Sequence, residues 1–167
     1  MLRNKLFLGL LVGLLFVTVV TGWAAAESGP AYIIIADVVR GTQNATGPSC
    51  VLNNVFKLGE QVVFRADVYD ATTGQLLDQQ DIERLGLKVE AQVDGVGTFP
   101  LRYGPHPKEQ PQVNFWSGAW QIPGVFKTGY FAWSIVVTDK QGRKAVYQPV
   151  GSRRPQMSGS WLVIEKR

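Results

Sequence analysis

Side chains suited to nucleophilic or metal chemistry are scarce here: there is one histidine, His106, and one cysteine, Cys50. Catalytic triads, zinc sites and proton relays commonly call on imidazole, and His106 stands alone between Pro105 and Pro107. A copper centre in an exported β-sandwich would need two imidazoles, a thiolate and a distant methionine. Cys50, His106 and Met157 supply one ligand of each kind, so the second imidazole is missing. None of the spacings HExxH, CxxC, CxxCH, GxxxxGK or GxSxG occurs. Glu90 and Asp94 fall at alternating or turn positions, and Asp67, Asp70 and Asp81 lack the dense oxygen-ligand loop of a calcium site. The expectation is a protein that is not an enzyme and needs no cofactor. A metal- or haem-containing electron-transfer accessory using His106 or Met157 is an alternative reading.

The aromatic residues form the other conspicuous group. FWSGAWQIP, residues 115–123, places Phe115, Trp116 and Trp120 within six positions. In an extended strand alternate residues share a face, so Trp116, Gly118, Trp120 and Ile122 point together and Phe115, Ser117, Ala119 and Gln121 point oppositely. The first set reads as core, with Gly118 leaving room between the rings. Phe131, Trp133, Ile135 and Val137 repeat the pattern, and packing such faces together buries about 150 to 250 Å² per ring. Tyr103, Phe115, Phe126 and Tyr130 are left for surfaces, where an aromatic platform could stack on sugar rings.

The elements that must position these residues follow period two. AYIIIADVVR (31–40), EQVVFRADVYD (60–70), LKVEAQVD (87–94), TFPLRY (98–103), GYFAWSIVVTD (129–139), KAVYQPV and SWLVIE (160–165) read as strands. With FWSGAWQIP they make about eight, and no segment shows a helical stripe. Val62, Phe64, Ala66 and Val68 are expected inward, as are Leu87, Val89, Ala91 and Val93. Turns are expected at Asp70–Gly74, Asp94–Gly95 and Asp139–Arg143. Pro100 suggests an edge strand, and the prolines of 103–112 suggest a stiff loop. GTQNATGPSCVLNN reads as a loop whose Asn44-Ala45-Thr46 matches the glycosylation acceptor pattern.

The first 28 residues carry Arg3 and Lys5, then no charge until Glu27. The apolar run from Leu6 to Trp23 ends at Ala24-Ala25-Ala26, so residues 1–26 read as a signal peptide cleaved after Ala26 or as an uncleaved single-pass anchor. In the anchor reading Leu6, Phe7, Leu10, Leu11, Leu14, Leu15 and Phe16 lie in lipid. Either way residues 27–167 are delivered outside, secreted, periplasmic or on the extracytoplasmic face of the membrane. Two of the 17 basic residues belong to the export segment, leaving 15 against 13 acidic ones, a formal balance of +2 with no clustered stripe. Nucleic acid is therefore not an expected partner. With one cysteine no disulfide forms within the chain, and Cys50 is expected to be buried and inert, with pairing to another molecule or modification as the alternatives.

The succession KLGEQVVFRADVYDATTGQLLD, KVEAQVDG, KTGYFAWSIVVTDKQGRKA and SWLVIE resembles bacterial extracellular immunoglobulin-like and fibronectin type III-like domains over roughly residues 31–165. The resemblance implies an all-β antiparallel sandwich of about eight strands and a binding or spacer module within a larger assembly. It also implies a corner role for Tyr130, its hydroxyl bonding nearby backbone. The functional expectation is an exported accessory protein that docks onto another envelope or membrane-complex protein, with His106, Pro107, Phe115, Tyr103, Arg153 and Arg154 as candidate contacts. A carbohydrate-binding module using Tyr103 and Phe115 is the alternative of a different class.

Overall fold

From residue 61 to 70 burial alternates with the sequence: Val62, Phe64, Ala66 and Val68 are buried while Val63, Arg65, Asp67 and Tyr69 are only partly covered. One face of this strand meets a core and the other meets water, as antiparallel sheets allow. The structure, a computed structural model, describes residues 30–106, 113–151 and 160–167.

Among the described residues there are ten strands and one short helix. They are β1 (Tyr32–Arg40), β2 (Val55–Lys57), β3 (Gln61–Asp70), α1 (Gln79–Leu85), β4 (Lys88–Val93), β5 (Gly97–His106), β6 (Val113–Gln121), β7 (Gly129–Phe131), β8 (Trp133–Thr138), β9 (Lys144–Tyr147) and β10 (Leu162–Glu165). Seven strands form one antiparallel sheet in the order β1-β3-β6-β5-β4-β8-β9. A small second sheet has the order β2-β10-β7, parallel between β10 and β2 and antiparallel between β10 and β7. The large sheet bends so that β1 packs back against β9 and β8.

The inward set expected on β4 is buried throughout, together with Leu87. So are Trp116, Trp120 and Ile122 of the aromatic stretch, and Phe131, Trp133, Ile135 and Val137. Phe64 meets Trp133 and Phe99 stacks on Trp120, with ring centroids 5.7 Å apart in each pair. At Gly118 β6 leaves no room for a side chain against β5. A Cβ there would sit 2.6 Å from the Pro100 carbonyl oxygen and 3.0 Å from Leu101 Cδ1.

The expected turns form as their chemistry requires. Asp70 Oδ1 accepts the Thr72 and Thr73 N–H groups, and Gly74 takes φ +71°. Asp139 Oδ1 accepts the Gln141 and Arg143 N–H groups.

Other expectations are corrected. Seven residues, Gln79–Leu85, form a helix where none was expected. Asp78 caps it by accepting the Asp81 N–H, Gly86 ends it at φ +63°, and Ile82 is its one buried side chain. So short an element has too few turns to show a stripe. β5 is interior, between β4 and β6; Pro100 is tolerated because the β5–β6 ladder runs only from Arg102 to His106, so the missing N–H removes no bond in that ladder. Tyr103–His106 belong to β5 instead of a loop, because β6 supplies pairing partners up to His106 opposite Val113. GYFAWSIVVTD is two strands: the chain leaves one sheet for the other at Ala132, whose carbonyl accepts the Asp94 N–H.

Candidate interaction surface

The outward residues of β1, β3, β6 and β5 make up the candidate surface. On β1, Ile33 is 48% exposed and Ile35 59%. On β6, Val113 is 63% exposed, and Phe115 lies half-buried two residues further on. His106 at the end of β5 lies against Phe115, ring centroids 5.3 Å apart and planes tilted by 57°. Gly104, paired with Phe115 across the β5–β6 ladder, has no atom of the described residues within 4 Å of where a Cβ would be, which leaves the sheet beside the ring open among them.

Charges sit among these apolar groups. Arg65 Nε and Nη2 donate to Asp37 Oδ1 and Oδ2 at 2.7 and 2.6 Å, a two-pronged bond between cross-strand neighbours. The same guanidinium lies 5.9 Å from the Phe115 centroid. The hydrogen bond to Asp37 holds the Arg65 pKa above its ordinary value against burial, which lowers it. Asp67, next along β3 on this face and opposite Ile35, is pushed up, first by burial and then by the neighbouring Asp37. A shallow groove of about 240 Å³ runs over Ile35, Asp37, Arg65, Asp67, Val113 and Phe115.

Of the candidate contacts among the described residues, the structure brings together His106 and Phe115. Tyr103 points to the opposite face of β5, its ring 5.6 Å from that of Trp116, and burial raises its hydroxyl pKa. An aromatic platform made of Tyr103 and Phe115 is thereby corrected, since alternation separates them across the sheet. Pro107, Arg153, Arg154 and Met157 lie outside the described residues, as do residues 1–26 with the anchor candidates Leu6, Phe7, Leu10, Leu11, Leu14, Leu15 and Phe16. No helix among the described residues is long and apolar enough to cross a membrane.

The Gly41–Asn54 loop leaves the far end of β1, whereas His106 sits at the end of the sheet where β1 begins. Cys50 in that loop is exposed, which corrects the expectation of a buried thiol. The loop runs along the edge of β1, with the Cys50 N–H donating to the Arg40 carbonyl, and never enters the core. Cys50 and His106 are thus not neighbours, and among the described residues no three His, Cys, Asp or Glu side chains converge as metal ligands. Asn44 is exposed at φ +54°, its Nδ2 donating to the Gly59 carbonyl at 3.0 Å. Thr46 of the same triplet is bound by Glu60 through both its N–H and its hydroxyl, each at 2.7 Å. Tyr130 is 64% exposed and its hydroxyl makes no hydrogen bond among the described residues, which corrects its corner role. The tyrosine that ties distant segments is Tyr32, whose hydroxyl donates to Asp139 at 2.7 Å.

Ile33, Ile35, Asp37, Arg65 and Asp67 were not among the candidate contacts. Alternation does place Arg65 and Asp67 on the solvent side of β3. The unbroken Ile33-Ile34-Ile35 run hides which isoleucines of β1 face outward. No family model matches the chain, and no curated protein is significantly similar to it.

Proposed function

We propose that residues 27–167 form an immunoglobulin-like β-sandwich module of an exported, non-enzymatic accessory protein. It docks onto another envelope or membrane-complex protein through the outer face of β1, β3, β6 and β5. The observation that carries this reading is the run of exposed Ile33, Ile35 and Val113 beside Phe115 and His106 on the face of a sheet. Such a patch, set among charged groups, is the form an interaction site takes on a protein surface. The seven-stranded sheet with its small companion sheet is the coarse architecture that the sandwich reading refines. The Arg65–Asp37 pair lends the patch fixed polar geometry, which contributes register and selectivity more than raw affinity.

A photo-crosslinking residue placed at Ile35 or Val113 in intact cells tests this. Val125, 94% exposed in the segment after β6, is the control position. The expected result is a discrete adduct from Ile35 and Val113, absent from Val125 and lost from the Val113 probe on Ile35→Glu. Equal labelling at all three positions, or none at any, would refute the docking reading.

A further inference from the structure

We infer that the partner presents to this face an extended segment carrying a lysine or arginine flanked by apolar side chains, its cation pairing with Asp67. The inference rests on the docking reading above and specifies the chemistry of what docks. Asp37, Arg65 and Asp67 together hold two negative charges and one positive. Both prongs of Arg65 are committed to Asp37, and its plane is held near Phe115. The Asp67 carboxylate, opposite Ile35, has neither a hydrogen bond nor a salt bridge among the described residues.

In water a half-covered carboxylate of this kind is tolerated. Once a partner covers the face, the same carboxylate loses its remaining water. Burying an unpaired charge is strongly unfavourable, whereas burying it against a hydrogen-bonded cation offsets much of that cost. Arg65 acts on Asp67 through its charge but makes its hydrogen bonds to Asp37, so these three groups keep one net negative charge, which a cation on what docks would balance. Ile35, Val113 and Phe115 border the same groove and suit apolar neighbours of that cation. The open sheet at Gly104 leaves room beside the Phe115 ring for an aliphatic stem. A long basic side chain that lays its methylenes on apolar surface and extends its charge fits this arrangement.

The test pans a phage-displayed library of random 12-residue peptides on the full-length protein in detergent micelles. The winners are then measured as synthetic peptides, with their basic residue intact or replaced by norleucine. The expected result is enrichment of Lys or Arg between aliphatic or aromatic residues. The norleucine replacement should weaken binding about tenfold or more on wild type and have little effect on Asp67→Asn. Asp67→Asn is nearly isosteric, and unchanged tryptophan emission will show that the variant folds. Gly104→Val, whose Cβ meets no atom of the described residues within 4 Å, should block the same peptides.

Peptides without a basic residue, or equal affinity for wild type and Asp67→Asn, would overturn the cation while leaving the docking face standing, provided Ile35→Glu still abolishes binding. Binding indifferent to Ile35→Glu, or no enriched family at all, would overturn both. Lys108 lies outside the described residues; dependence on Asp67 that emerges only in Lys108→Gln protein would assign the counter-ion to the chain itself and overturn the proposal.

Discussion

Replacing Glu60 is the sharpest test of how the large sheet holds the Gly41–Asn54 loop. Glu60 is fully buried. Its Oε1 accepts the Thr46 N–H and hydroxyl, its Oε2 accepts the Lys57 N–H at 2.8 Å, and Arg40 Nε approaches Oε1 to 3.2 Å. Burial by itself raises the carboxyl pKa, but the bonds from Lys57 and Thr46 and the charge of Arg40 outweigh it, so the net shift is downward. Glu60→Ala removes the counter-charge of Arg40 and, at once, the acceptor of two backbone N–H groups and the Thr46 hydroxyl. Breaking a buried ion pair costs about 3 to 5 kcal/mol. The Arg40 side chain keeps 15% exposure, so water rescues part of its charge and the lower end, about 3 kcal/mol, is expected. Glu60→Gln keeps an acceptor for Thr46 but turns an amide donor toward the Lys57 N–H, for about 1 to 3 kcal/mol.

Urea unfolding followed by tryptophan emission measures both variants. At a slope of about 1 to 3 kcal/mol per molar urea, the alanine variant should unfold roughly 1 to 3 M earlier than wild type. A depressed pKa contributes stability that is complete above the unfolded value, near about 4.3, and is lost as pH falls through the folded one. The gap between wild type and Glu60→Gln should therefore be full at neutral pH and close in acid. A Glu60→Ala midpoint indistinguishable from wild type, or a gap that widens in acid, would refute the reasoning.

Two further outcomes follow from other contacts. The Tyr32 hydroxyl, Asp139 and Arg143 tie the start of β1 to the β8–β9 turn, Arg143 donating to the hydroxyl at 2.9 Å and to Asp139 at 2.6 Å. Burial and the bond to Asp139 push Tyr32 up to about 12. For Asp139, burial pulls upward, but bonds from Tyr32, Arg143 and Gln141 bring it down to about 2. The raised tyrosine stabilises fully below its unfolded pKa of about 10 and loses this as pH climbs through 12; the depressed aspartate stabilises above about 4 and loses this toward 2. Tyr32→Phe should lower the melting temperature by several degrees between those limits and by less outside them, and a uniform effect across pH would count against the latch. Gly118→Ala should cost about 1 to 3 kcal/mol in the same urea assay, because its methyl meets the Pro100 carbonyl oxygen; a neutral result would mean β5 can yield at that point.

Strands whose one face is apolar and the other polar were legible because the two-residue period assigns each side chain a face without knowledge of the neighbours. β3, β4, β6 and β8 were read this way, and the rings of Trp116, Trp120 and Trp133 are buried accordingly. Turns built on Asp70 and Asp139 were legible for a similar reason, since each aspartate bonds its own local backbone, and the Asp94 turn was legible through Gly95, which takes φ +66°. β2, with three residues, and α1, with seven, are too short for any period to emerge, and what holds them is a parallel partner in one case and a pair of caps in the other.

The surface was less accessible. Phe115 and His106 could be named as candidates singly, but their contact depends on β5 and β6 being neighbours in register. Tyr103 looked equivalent to Phe115 until the strand continued through it and turned it to the other face. Composition and local alternation were settled by the sequence alone, because each depends on residues close together in the chain. The exposure of Cys50, the interior place of β5, and the meeting of Ile35, Asp67 and Phe115 on one groove were decided only by tertiary structure. Pairing between strands far apart in sequence determines which outward faces lie side by side, and no local period encodes that.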